Sequence, residues 1–94
     1  MERMQSFIFS FYREEPDILI KLSPVLSCQI TWILGVIRIE CLSIEHREKV
    51  GTLIEYLRLP FAELGMGRQI VLRAPGSVER IFPMHLSSQS DLFA

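Results

Sequence analysis

Two cysteines, Cys28 and Cys41, and two histidines, His46 and His85, are the side chains of this sequence best suited to bind a metal or attack a substrate. Neither cysteine has a second one at the short spacing of a zinc site, and neither histidine has a carboxylate or cysteine at ligand spacing. Two cysteines are also too few for the disulfide framework of a small secreted domain. They read as free buried thiols in a reducing cytosol, and the histidines as surface residues. Glu14 and Glu15 are adjacent, so they diverge at a helix entry, where they oppose the helix dipole. The serine-rich LSSQS has no partnered base, and Gly65 to Gly67, GMG, lacks the strand-loop-helix setting of a phosphate loop. Without a convergent acid, base and nucleophile the chain is expected to be non-enzymatic, with no cofactor and no metal.

The elements that position these residues form one domain. The chain has 94 residues, 49% of them hydrophobic, enough for a single core over 1–86 followed by a flexible tail over 87–94. Ten basic and eleven acidic side chains leave a net charge of -1, which gives no footprint for direct nucleic-acid binding. The opening MERMQSFIFSFYREEP lacks the pattern of a signal peptide, and the apolar stretch from Leu22 to Ile37 contains Pro24 and Gln29. A membrane helix needs about twenty clean residues, so a cytoplasmic protein without a membrane span is expected.

ITWILGVIRIEC, Ile30 to Cys41, alternates apolar and polar residues, but the phase changes halfway. Ile30, Trp32 and Leu34 are apolar at even positions; Ile37, Ile39 and Cys41 are apolar at odd ones. A continuous strand cannot swap faces without an interruption. A hairpin turning at Leu34 and Gly35 pairs Trp32 with Ile37 and Ile30 with Ile39 on one face, and Thr31 with Arg38 and Gln29 with Glu40 on the other. Leu34 is a poor residue for the positive φ of a type I′ turn, so a glycine bulge in one bent strand is the competing reading. The hairpin register sets Cys28 opposite Cys41, where a cross-strand redox pair is conceivable, although nothing electropositive flanks either thiol.

Ser43 caps a following helix, with Glu45 in its first turn and Val50, Leu53, Ile54 and Leu57 as its apolar stripe; Leu59-Pro60 interrupts it. RQIVLR reads as a strand, APGS as a turn of type II character, and VERIF as an edge strand that Pro83 stops. At the front, FIFSFY reads as a strand with Phe7, Phe9 and Phe11 on one face and Ile8 and Tyr12 on the other. EEPDILIKLSPVL reads as a short helix starting at Pro16, with Leu19, Leu22 and Leu26 at helical spacing, broken near Pro24. The order is βαββαβ with an extra edge strand as an option: an α+β, ferredoxin-like antiparallel sheet packed on two helices. Ile8, Tyr12 and Val71 on the sheet's other face would favour a homodimer.

Two resemblances carry functional implications. SFIFSFYREEPDILIKLSPVL resembles the opening of an ACT domain, a strand leading through a proline turn into a helix, although Asp17 stands where that family tends to have glycine. It implies a regulatory subunit binding a small effector, at residues this sequence does not identify. QSDLF, Gln89 to Phe93, resembles the peptide by which bacterial polymerases and repair factors dock on the DNA sliding clamp. It implies that Leu92 and Phe93 fill an apolar cleft, with Gln89 at its rim and Asp91 in the acidic middle position. The expected function is therefore a small protein-interaction module recruited to the clamp in replication or repair, the ACT-like regulatory role being the alternative.

Overall fold

The computed structural model describes residues 2–84. Helix α1, Arg3–Phe11, and α2, Pro16–Lys21, lead into a 3-10 helix, Ser23–Ser27. Strands β1, Gln29–Ile33, and β2, Val36–Glu40, are followed by helices α3, Ile44–Gly51, and α4, Ile54–Glu63. Strands β3, Gln69–Arg73, and β4, Arg80–Pro83, end the described chain. The strand order is β1-β2-β3-β4. The architecture is α+β, a four-stranded sheet with helices, compatible with a ferredoxin-like fold.

Three expectations change in detail. The front segment is helical rather than a strand. Gln5, Ile8 and Tyr12, spaced to share one helix face, are buried, and the Glu2 N–H donates to Gln5 Oε1 at 3.2 Å in the first turn. Ile8 and Tyr12 thus belong to the core and are not available on a sheet surface. With no strand at the front, β2 pairs directly with β3, and it does so in parallel, Val36 to Glu40 against Gln69 to Arg73. The sheet is therefore mixed, with antiparallel pairs β1–β2 and β3–β4 on either side. The expected edge strand is present as β4.

The third change concerns the second helix. It breaks at Thr52–Leu53, and α4 continues through Pro60. Proline has no N–H to give the carbonyl four residues back, so it leaves Tyr56 O free. Tyr12 fills the vacancy, its hydroxyl donating to Tyr56 O at 2.7 Å. Burial, and secondarily the neighbouring Tyr56, pushes the Tyr12 phenol up to about 12.

The core lies on one face of the sheet. Ile30, Ile37, Ile39, Ile70 and Leu72 point into it and meet Ile8, Val50, Leu57 and Phe61 from the helices. The opposite face carries Thr31, Arg38 and the Arg73–Glu40 and Arg73–Glu79 ion pairs, half exposed and so of small energetic weight. Val71 also lies on this side, flanked in register by Arg38 and Ile81, and is nearly buried. Two buried arginines fasten the last strand and the segment before it to the helices. Arg58 Nε donates to Pro83 O at 2.8 Å, and Arg47 Nη1 donates to Val78 O at 2.8 Å and Ser77 Oγ at 3.0 Å.

Candidate functional site

The β1–β2 hairpin has the register that its alternation predicts, Gln29 with Glu40 through Ile33 with Val36. The two-residue loop Leu34–Gly35 has positive φ at both positions, 53° and 81°, as a type I′ turn requires, so the chain turns rather than bulges. Leucine at such a position is strained by the approach of its Cβ to the backbone. Nothing in the core repays that strain, for Leu34 is 87% exposed. Behind it, Arg68 N–H donates to Gly35 O at 2.7 Å, and a Cβ at Gly67 would come within 3.3 Å of that oxygen and 3.1 Å of Ile37 Cδ1. Gly67 permits this close approach, so the chain entering β3 holds the tip in place.

Trp32 and Ile33 extend the apolar tip along β1 and are 49% and 57% exposed. Trp32 shares the core-side face of Ile37, as expected, yet it lies at the margin of the core. β1 is also a free edge of the sheet among the described residues. Alternation turns the backbone of Ile30 and Trp32 outward; the Ile30 N–H meets Glu2 Oε2 at 3.4 Å. QITWI carries no charge or proline to discourage pairing, whereas the other edge, β4, carries Arg80 and Pro83.

At the opposite end of the hairpin the structure brings His46 to the two thiols that the hairpin register sets opposite each other. Cys28 Sγ and Cys41 Sγ are 3.9 Å apart, and His46 Nε2 is 3.9 Å from Cys28 Sγ. Cys28 follows the 3-10 helix, Cys41 follows β2, and His46 stands in the first turn of α3, whose N-cap Ser43 Oγ accepts the His46 N–H at 3.0 Å. The imidazole is held from both sides. Its Nδ1 accepts from the Leu42 N–H at 2.9 Å, which places the ring proton on Nε2, from which it reaches Pro24 O at 2.7 Å. Gln5 steadies the same segment, its Nε2 donating to Val25 O at 3.0 Å, Leu26 O at 3.2 Å and Cys28 O at 2.5 Å. Burial, then the neighbouring Cys41, pushes the Cys28 thiol up to about 12; burial also raises Cys41. Both thiols are therefore protonated and weakly nucleophilic at neutral pH.

The hairpin register predicts Cys28 opposite Cys41, whereas His46, expected at the surface, is half-buried beside them. The Ser43 cap carried that signal: standing two residues after Cys41, it puts the third residue of the new helix, His46, back over the strand end. Glu14 and Glu15 are exposed at the entry to α2, where Glu15 is the N-cap. His85 and the tail residues Gln89, Asp91, Leu92 and Phe93 lie outside the described residues. The segment resembling an ACT opening is helix, turn and helix. An open cleft of about 290 Å³ beside it, lined by Ser6, Phe9, Ser10, Arg13 and Leu19, offers a small molecule one cation and two hydroxyls without enclosure. Among the described residues, no helix is long and apolar enough to cross a membrane. Comparison with protein-family models, curated proteins and solved structures finds no match to this chain.

Proposed function

We propose that this protein is a non-enzymatic interaction module that docks through the outer strand and tip of its β1–β2 hairpin. The observation that carries the reading is Leu34, a large apolar side chain kept 87% exposed in a backbone conformation that disfavours it. Local strain of this kind concentrates where a surface is used for recognition. β1 itself carries no charge, and with the Glu2 carboxylate displaced from the Ile30 N–H its outer edge suits antiparallel pairing with β1 of a second copy, making a homodimer with one continuous sheet. The tail peptide Gln89 to Phe93 adds recruitment to the DNA sliding clamp, with Leu92 and Phe93 as anchors.

Light scattering at micromolar concentration tests the pairing. A dimer mass is expected for the natural chain and a folded monomer for Trp32→Lys, which puts a charge on the pairing edge. A natural chain that is monomeric throughout would overturn the homodimer. Titration with purified bacterial clamp tests the tail. Leu92→Ala with Phe93→Ala should abolish binding with the melting temperature unchanged, and binding that survives the double change would show the motif to be coincidental.

A further inference from the structure

We propose that Cys28, Cys41 and His46 form a binding site for a thiophilic divalent cation of the zinc type, a role independent of the docking surface. Their three ligand atoms lie within 4.8 Å of one another. Metal–sulfur bonds of about 2.3 Å and a metal–nitrogen bond of about 2.0 Å in a tetrahedron place sulfurs about 3.8 Å apart and sulfur and nitrogen about 3.5 Å apart. Two of the three edges, Cys28 Sγ to Cys41 Sγ and to His46 Nε2, both 3.9 Å, are within a few tenths of an ångström of those values, and the third, between Cys41 Sγ and the His46 ring, lies within 4.8 Å and would shorten as the ion binds. The donors come from three separate elements, so the ion would tie the 3-10 helix, the end of β2 and the start of α3 at one point. His46 is the half-buried member of the set and gives the cluster its access to solvent.

Loading the site is a proton exchange without oxidation. Two thiols each lose a proton as two sulfur–metal bonds form, so the doubly charged ion is neutralised by two thiolates and two protons enter solution. The imidazole ligates through Nε2 as its proton moves to Nδ1. That shift ends two hydrogen bonds, the one that Nε2 donates to Pro24 O and the one that Nδ1 accepts from the Leu42 N–H. The Leu42 amide thereby becomes a reporter specific to ligation by His46.

The test is a titration of the whole chain, kept reduced with a phosphine, using cobalt(II) as the spectroscopic probe and zinc(II) as its competitor. One equivalent of cobalt should give sulfur-to-metal charge-transfer absorption with the visible bands of a tetrahedral site, and zinc should bleach both. Zinc should release two protons per ion and move the Leu42 amide resonance. Cys28→Ala or Cys41→Ala should lower affinity by more than the roughly 10–100-fold typical of changes outside the ligand set. His46→Gln should weaken binding while leaving the charge-transfer band. Absence of that band at stoichiometric cobalt, or a band and affinity unchanged in Cys28→Ala, would overturn the site. Where the cysteine variants fail to fold, the proton count, the Leu42 shift and His46→Gln decide: zinc binding with neither proton release nor a Leu42 shift overturns the proposal. Two thiols that join as a disulfide in air but take up no ion under reductant would assign the pair to redox chemistry and overturn it equally.

Discussion

Replacing Leu34 by Asn separates the stability of the hairpin from its use. A left-handed conformation costs an ordinary L-residue about 1–2 kcal/mol, and Asn tolerates it far better. Full burial of a leucine side chain is worth about 1.5–3 kcal/mol. With 87% of Leu34 exposed, about an eighth of that burial, roughly 0.3 kcal/mol, is lost on substitution. Asn-Gly is also the preferred pair for a two-residue type I′ loop. The strain term wins, and Leu34→Asn should stabilise the chain by about 0.5–1.5 kcal/mol. For a domain of this size that raises the melting temperature by roughly 3–10 °C, which thermal denaturation by circular dichroism reads directly. The same variant should bind its partner more weakly, because the apolar tip is gone. A melting temperature that is unchanged or lower would refute the reasoning, since Leu34 would then contribute folded-state contacts outweighing its strain.

Three further outcomes are expected. Tyr12→Phe should cost about 1–3 kcal/mol by leaving Tyr56 O unpaired, and much less when combined with Pro60→Ala, which restores an N–H for that carbonyl; additive costs in a double-mutant cycle would disprove the pairing of these two features. Gln5→Ala removes the two N–H groups shared among the carbonyls of Val25, Leu26 and Cys28, of which Val25 O keeps the Cys28 N–H, and should destabilise by about 1–3 kcal/mol, with hydrogen exchange accelerating in the 3-10 helix, so protection there equal to the natural chain would argue against the clip. Stability should also decline at alkaline pH. The folded-state values of Cys28 and Tyr12, both about 12, exceed their ordinary values of 9.0 and 10.0, so the unfolded chain loses these protons first. The associated stability is complete below about pH 9 and is lost as pH rises toward 12, the folded values. Urea unfolding that is flat between pH 8 and about 11 would contradict the protonated buried thiol.

The hairpin was legible because a period of two leaves little freedom: once the apolar phase flips at Leu34, one register satisfies both faces. The Ser43 cap, the turn at Ala74–Ser77, closed by the Ser77 N–H on Ala74 O at 3.3 Å, and the edge strand beyond it were legible from local chemistry. The front helix was not. Phe7, Phe9 and Phe11 alternate well enough for a strand, while the helical face depends on Gln5, whose burial is satisfied by carbonyls some twenty residues along the chain. Pro60 misled for a related reason, since the hydroxyl that makes its position tolerable comes from Tyr12. The histidine beside the thiols was hidden because its neighbours are set by a strand, a cap and a helix acting together.

The parallel ladder between β2 and β3 governs how quickly the chain can fold. Each hairpin closes locally, on the order of 1–10 μs, but the central ladder must wait until residues 41–68 have crossed over as two helices. Loop-closure entropy is spent before that contact returns any stabilisation, which makes the pairing of Val36 to Glu40 with Gln69 to Arg73 the natural rate-limiting event. Until it occurs, β2 has an open inner edge as well as the open outer edge of β1. A nascent chain therefore spends its slowest interval as a two-edged apolar ribbon, the form most able to pair with the wrong strand.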